Sequence, residues 1–155
     1  MERAIIFNPI GYVKSKRSGM QDDYWGNVVS EITISEDFPE ECLDGIDTFS
    51  HLEIIFYFDK AEPSKVVTGA SHPRGNTEWP NVGIFAQRKK DRPNHIGTTI
   101  VKLISRKERT LMVQGLDADN DTPVLDIKPV AQEFLPNETV AQPAWMSELM
   151  KDYWK

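Results

Sequence analysis

The sequence predicts a mainly β protein: a small single-domain β-barrel, with short helical turns and a C-terminal helix, across residues 1–155. Three observations carry this prediction. Short runs rich in β-branched and aromatic residues recur over the first 130 or so residues. Clusters of Gly, Pro, Asn and Asp separate them, and only the tail has helical periodicity. Many short strands punctuated by turn chemistry suit a barrel or a strongly curved sheet. The barrel is expected over about 4–130 and the helical tail over about 143–155.

Taken in order, Ala4–Val13 contains AIIF and IGYV, and Trp25–Ile34 alternates near its end. His51–Phe58 (HLEIIFYF) is a nearly continuous apolar run, the pattern of a strand buried on both faces. Val82–Ala86 and Ile96–Ile104 are rich in strand formers. Thr110–Leu116 alternates around Gln114, and Val124–Ile127 is a short apolar piece before Lys128-Pro129. Leu43–Phe49 has the length of a single helical turn. In the tail, Pro143 suits a helix start. Trp145, Met146, Leu149, Met150, Tyr153 and Trp154 then recur at helical spacing. That aromatic face is expected to dock on the barrel or on a sister subunit.

Composition narrows the function classes. With 155 residues and a net charge of −6, the chain is no generic polyanion binder. It has no apolar run of membrane-spanning length and no secretory leader, so no membrane role is expected and the cytoplasm is the expected compartment. The single cysteine, Cys42, has no nearby His and reads as an incidental thiol. The charge is uneven, however. Residues 85–109 hold eight Lys and Arg against Asp91 and Glu108. Such a stripe either holds a phosphate or carboxylate locally or forms solvated strand ends.

Two segments carry candidate chemistry. In GIFAQRKKDRPNHIG, Pro93 fixes its own φ and pushes Arg92 towards extended backbone. Gly97 permits positive φ or a close approach, and Asn94 offers donors and an acceptor. This is a rigid loop with guanidiniums suited to carboxylates and phosphates, or else a well-specified surface turn. In GLDADNDTPVLDIKP the D-x-D-x-D spacing resembles the start of a calcium loop. The required glycine is Thr122, and the distal glutamate is Lys128. No metal site is therefore expected, and a tight turn with free amides could instead read a purine edge and ribose. His51, His72 and His95 form no zinc spacing.

PIGYVKS, LDGIDTFSHLEIIFYF, VGIFAQRKKDRPNHIG and GLDADNDTPVLDIKP stand in an order and spacing that resemble the TsaA-like, or TrmO-type, methyltransferase family, over roughly residues 5–130. The resemblance implies a small barrel that binds S-adenosylmethionine, usually as a homodimer with the ligand near the interface. It implies methylation of N6 of threonylcarbamoyl-adenosine next to the tRNA anticodon, so the anticodon loop is the expected partner. A small-molecule acceptor and a non-catalytic S-adenosylmethionine-binding module are the alternatives.

Carried over by residue, the resemblance puts Arg88, at the end of an F-A-x-R strand, on the cofactor, and Thr98 near it through its backbone. Asp117, Ala118, Asp119 and Asn120 match the turn expected to hold adenosine. Phe58 and Asp59 border the same pocket, and Gln21 stands for the glutamine of an early P-R-Q element. Arg92 and Asn94 are the candidates for the acceptor side, and Asp59 or Asp117 for accepting its proton. The sequence departs from the pattern in GMQDDYWG around Gln21, in Asp59 where many members have His, and in His95 where a second proline is usual.

Overall fold

The computed structural model describes residues 3–155. Six antiparallel strands close into a barrel in the order β1-β2-β7-β6-β3-β8. They are β1 Gly11–Lys14, β2 Val29–Ile34, β3 His51–Tyr57, β6 Ile96–Lys107, β7 Thr110–Gln114 and β8 Pro123–Pro129. A separate two-stranded ribbon pairs β4 Ala70–Ser71 with β5 Val82–Gly83. One helix, α1 Ala144–Met150, lies in the tail. Among the described residues no helix is long and apolar enough to cross a membrane.

Alternation drives closure, because successive side chains point to opposite faces. On β3, Leu52, Ile54 and Phe56 are buried while Glu53 and Ile55 between them are only partly so. The run read as buried on both faces is thus buried on one. Its outward isoleucine made the sequence look continuous. Val13, Ile32, Val101, Leu111, Val113 and Val124 complete the interior from the other five strands. β6 is longer than expected and pairs with both β3 and β7. A register shift between Leu103 and Ser105 accompanies its passage from one partner to the other.

Several expectations are corrected. Of Ala4–Val13 only the last part forms a strand, since four residues suffice to bridge β2 and β8. Ile5 and Ile6 are 73% and 86% exposed. β2 begins at Val29, not Trp25, because Trp25 instead donates its backbone amide to the Tyr153 carbonyl of the tail. Val82–Ala86 gives a two-residue strand and then a 3-10 turn, outside the barrel. The single helical turn at Leu43–Phe49 is two 3-10 turns, Glu40–Leu43 and Ile46–Thr48, split by Gly45 at φ 84°. The helix ends at Met150, so Tyr153 and Trp154 lie in the turns beyond it.

Gly97 has a different task from the one its loop suggested. Its φ is not positive. A Cβ there would sit 2.7 Å from the Phe56 ring and 2.8 Å from the Phe58 ring. These rings meet edge to face at 5.2 Å, so the glycine is a packing requirement of the barrel. Gly97→Ala is therefore expected to destabilise the fold by about 1–3 kcal/mol, as overpacked cores do. Urea denaturation checks this, and an unchanged midpoint would remove the packing assignment.

Candidate functional site

Register brings the chemistry-bearing segments together. Tyr57 lies opposite Ile96 and Phe56 opposite Val124, so β3 ends where β6 and β8 begin. Beyond Gln114 the chain runs on to set Asp117 against Thr99 of β6. Phe58-Asp59, the 92–98 loop and the 115–122 turn thus share one mouth of the barrel.

The turn after β7 is held by its own polar side chains. Thr99 Oγ1 donates to one oxygen of Asp117, and the Tyr153 hydroxyl donates to the other. Asp119, almost fully buried, accepts the Met20 amide at 2.8 Å. Asn120 accepts the Ser15 amide at 3.0 Å, and its backbone amide reaches the Arg17 carbonyl at 2.8 Å. Lys60 Nζ donates to the Asn120 carbonyl at 2.7 Å, tying in the segment next to Asp59. Ala118 is buried in the core cluster. The acidic spacing that resembles a calcium loop is thereby explained, because Asp117 and Asp119 turn to hydroxyls and an amide. Among the described residues no group of three His, Cys, Asp or Glu could hold a metal ion.

The early element converges on the same turn. Gln21 is exposed and accepts from Arg17 at 2.9 Å. Arg17 also donates to the Tyr24 carbonyl and stacks over Trp25 at 3.6 Å. Nothing local in the sequence announces Arg17, whose backbone carbonyl accepts the Asn120 amide across about a hundred residues while its guanidinium stays with Gln21, Tyr24 and Trp25.

The basic loop divides its cations. Arg88 donates one nitrogen to the Thr98 carbonyl at 2.8 Å, leaving further N–H groups for a ligand. Arg92 donates one nitrogen to the Gln87 carbonyl at 2.7 Å and so clamps its own loop. Asn94 and His95 sit at φ 64° and 49°, consecutive left-handed residues that make the loop tight. Asn94 is exposed, whereas His95 is buried against Tyr57 with its Nε2 unpartnered. The basic stripe is not one surface. Arg106 and Arg109 bind carbonyls of the 35–43 segment, away from this loop.

Between Arg88 and the tail lies a groove of about 420 Å³. Val82, Ala86, Trp145, Met146 and Met150 give it apolar walls, and Arg88 gives it charge. Its size falls in the range of ligand pockets, about 300–1,000 Å³.

A closed small barrel with ligand-type residues gathered at one mouth, beside an arginine-bearing groove, defines a binding barrel. The chain belongs to the family described as tRNA-methyltransferase O N-terminal domain, which matches residues 11–134. An S-adenosyl-L-methionine-binding protein from Archaeoglobus fulgidus is 33% identical, over 84% of this chain and 92% of that one. A human tRNA (adenine(37)-N6)-methyltransferase is 36% identical over 68% of this chain but only 23% of its own length. A crystal structure of TrmO from Pseudomonas aeruginosa superposes with a TM-score of 0.75 at 24% identity, over 94% of this chain and 63% of that one. The fold is shared. The chain spans about a quarter of the human relative and a little under two thirds of the crystallised one.

Burial, reinforced by the Asp117 carboxylate, pushes the Tyr153 phenol well above the usual tyrosine range. Arg88 and Arg74 oppose this weakly. The fold thus keeps the neutral, donating phenol. The stability tied to it is complete below the unfolded pKa of about 10 and is lost as pH rises above it. In an ultraviolet difference titration, one of the four tyrosines should ionise later than free tyrosine, and Tyr153→Phe should abolish that late step. Its persistence in the variant would contradict the assignment.

Proposed function

We propose that the chain is an S-adenosylmethionine-dependent methyltransferase whose acceptor is N6 of threonylcarbamoyl-adenosine beside the tRNA anticodon. The observation that carries this reading is the family match over 11–134, combined with the gathering of its motif residues at one barrel mouth. The residues present fit the cofactor: an apolar groove of suitable size, a guanidinium on its wall with unused N–H groups, and a tight turn anchored to the Thr99 side chain one residue from the carbonyl that Arg88 binds.

When bound, S-adenosylmethionine supplies an electrophilic methyl group on a sulfonium. Arg88 is proposed to pair with the carboxylate end of the ligand, held in place by the Thr98 carbonyl. The turn Asp117, Ala118, Asp119 and Asn120 is proposed to meet adenosine through its backbone, because its side chains are committed internally. Gln21 and Phe58 border the same space. Asp59 is exposed beside Lys60 and is the proposed acceptor of the proton that leaves the amine. Asn94 presents a free carboxamide to the acceptor, and Arg92 fixes the loop that carries it. Alignment of nucleophile and methyl is the main catalytic task, and proximity supplies several kcal/mol of such barriers.

Dimerisation belongs to the same proposal. Phe134 is 92% exposed and Phe85 is 82% exposed. With Ile5 and Ile6 they leave apolar surface that a second copy would cover.

A second reading has its own support: the Archaeoglobus relative matched over nearly its full length is named only as a binding protein. Two assays separate the readings. Calorimetric titration with S-adenosylmethionine is expected to saturate, with Arg88→Ala weaker by ~1.5–3 kcal/mol, the worth of hydrogen bonds to a charged group. Labelled methyl is then expected in tRNA carrying the modified adenosine. Binding without transfer to any tRNA would favour the binding module, and no binding by folded protein would remove both.

A further inference from the structure

The 115–122 turn has no regular secondary structure, so hydrogen-bonded anchors from other segments set its shape. Those from Ser15, Arg17, Met20, Lys60 and Thr99 all lie within the family-matched residues 11–134. One anchor does not. Tyr153 comes from the tail, and its hydroxyl takes the second oxygen of Asp117.

The tail is seated to deliver it. The backbone amides of Tyr24 and Trp25 donate to the carbonyls of Asp152 and Tyr153 at 3.1 and 2.7 Å. Trp79 Nε1 donates to Glu148 at 2.8 Å. Gly26 lies flat against the Trp154 backbone, where any Cβ would collide. The same tail walls the groove onto which Arg88 opens, through Trp145, Met146 and Met150.

We propose that Tyr153 is a positioning residue for the methyl-donor site: with Thr99 it fixes both oxygens of Asp117, and so the turn that meets the adenosine end of the ligand. This rests on the cofactor reading above. Asp117 bridges a barrel strand and the tail, so a ligand held by this turn senses whether the tail is docked. Tyr153 touches no ligand in this scheme and acts through Asp117 alone.

The test is a double-mutant cycle in S-adenosylmethionine binding, measured by calorimetry on the full chain, with thermal melts of every variant. Tyr153→Phe keeps the ring and loses only the hydroxyl. It is expected to weaken binding about tenfold with little change in melting temperature. Asp117→Asn should weaken it as well, and the double variant should bind no worse than Asp117→Asn, since linked residues are non-additive. Wild-type affinity in Tyr153→Phe, or losses that simply add, would overturn the inference while leaving the cofactor reading intact. A wild-type chain that binds no S-adenosylmethionine would overturn both.

Discussion

The mouth of the barrel depends on how one irregular turn satisfies its buried polar groups. Removing carboxylates and amides from water costs several kcal/mol unless each finds a partner. Asp117, Asp119 and Asn120 find theirs in four separate parts of the chain: the segment after β1, the loop after β3, strand β6 and the tail. The turn is therefore a hub. Each partner is placed by its own element, and the turn is rigid only when all are in place. Substituting one of its acids would do more than remove a charge, because it would leave donors on other elements unpaired.

Much of the barrel was legible in the sequence, because barrel strands obey a period of two. β3 and β7 are legible nearly at their bounds and β6 at its start, from alternation and β-branched content. Errors fell where apolar residues do not enter the ladder. The AIIF run looks like a strand, yet Ile5 and Ile6 stay exposed. The VGIFA run looks like another, yet it turns after two residues and leaves Phe85 in solvent. The sequence picks out segments that the fold gathers at one mouth, but not how each side chain is engaged there. Gly97 accommodates two phenyl rings, and Arg92 closes its own loop. Arg17 and Tyr153 went unnoticed as site residues because their partners lie 103 and 36 residues away in sequence. No local pattern encodes a contact of that kind.

Charge also reads differently in three dimensions. Eight cations within residues 85–109 suggested one basic surface. Folding sends Arg106 and Arg109 to carbonyls of the 35–43 segment, and pairs Lys90 with Asp91 at 3.1 Å. That leaves Arg88, Lys89 and Arg92 as the cations of this loop without a carboxylate partner, with Arg92 engaged by backbone carbonyls of the loop itself. On a chain with net charge −6 this is a modest electrostatic footprint. Affinity for RNA grows with the number of phosphates neutralised. The proposed RNA substrate would thus be held chiefly by contacts around the reacting nucleotide, with little help from its distant backbone.

That economy gives the tail its importance. A barrel with few unpaired cations in its basic loop must hold its ligands by shape, and the groove beside Arg88 owes one wall to Trp145, Met146 and Met150 of the tail. The tail helix has only seven residues, too short to persist alone, so docking is what orders it. Linkage makes the relation mutual: whatever affinity the docked tail adds for a ligand, the bound ligand returns as stability of the docked tail. The contacts that would carry this exchange are few and specific, namely the Tyr153 hydroxyl on Asp117, two backbone bonds from Tyr24 and Trp25, and the flat contact at Gly26. The family-matched barrel brings the motif segments together, and on the reading proposed above a short segment outside that match closes them into a site.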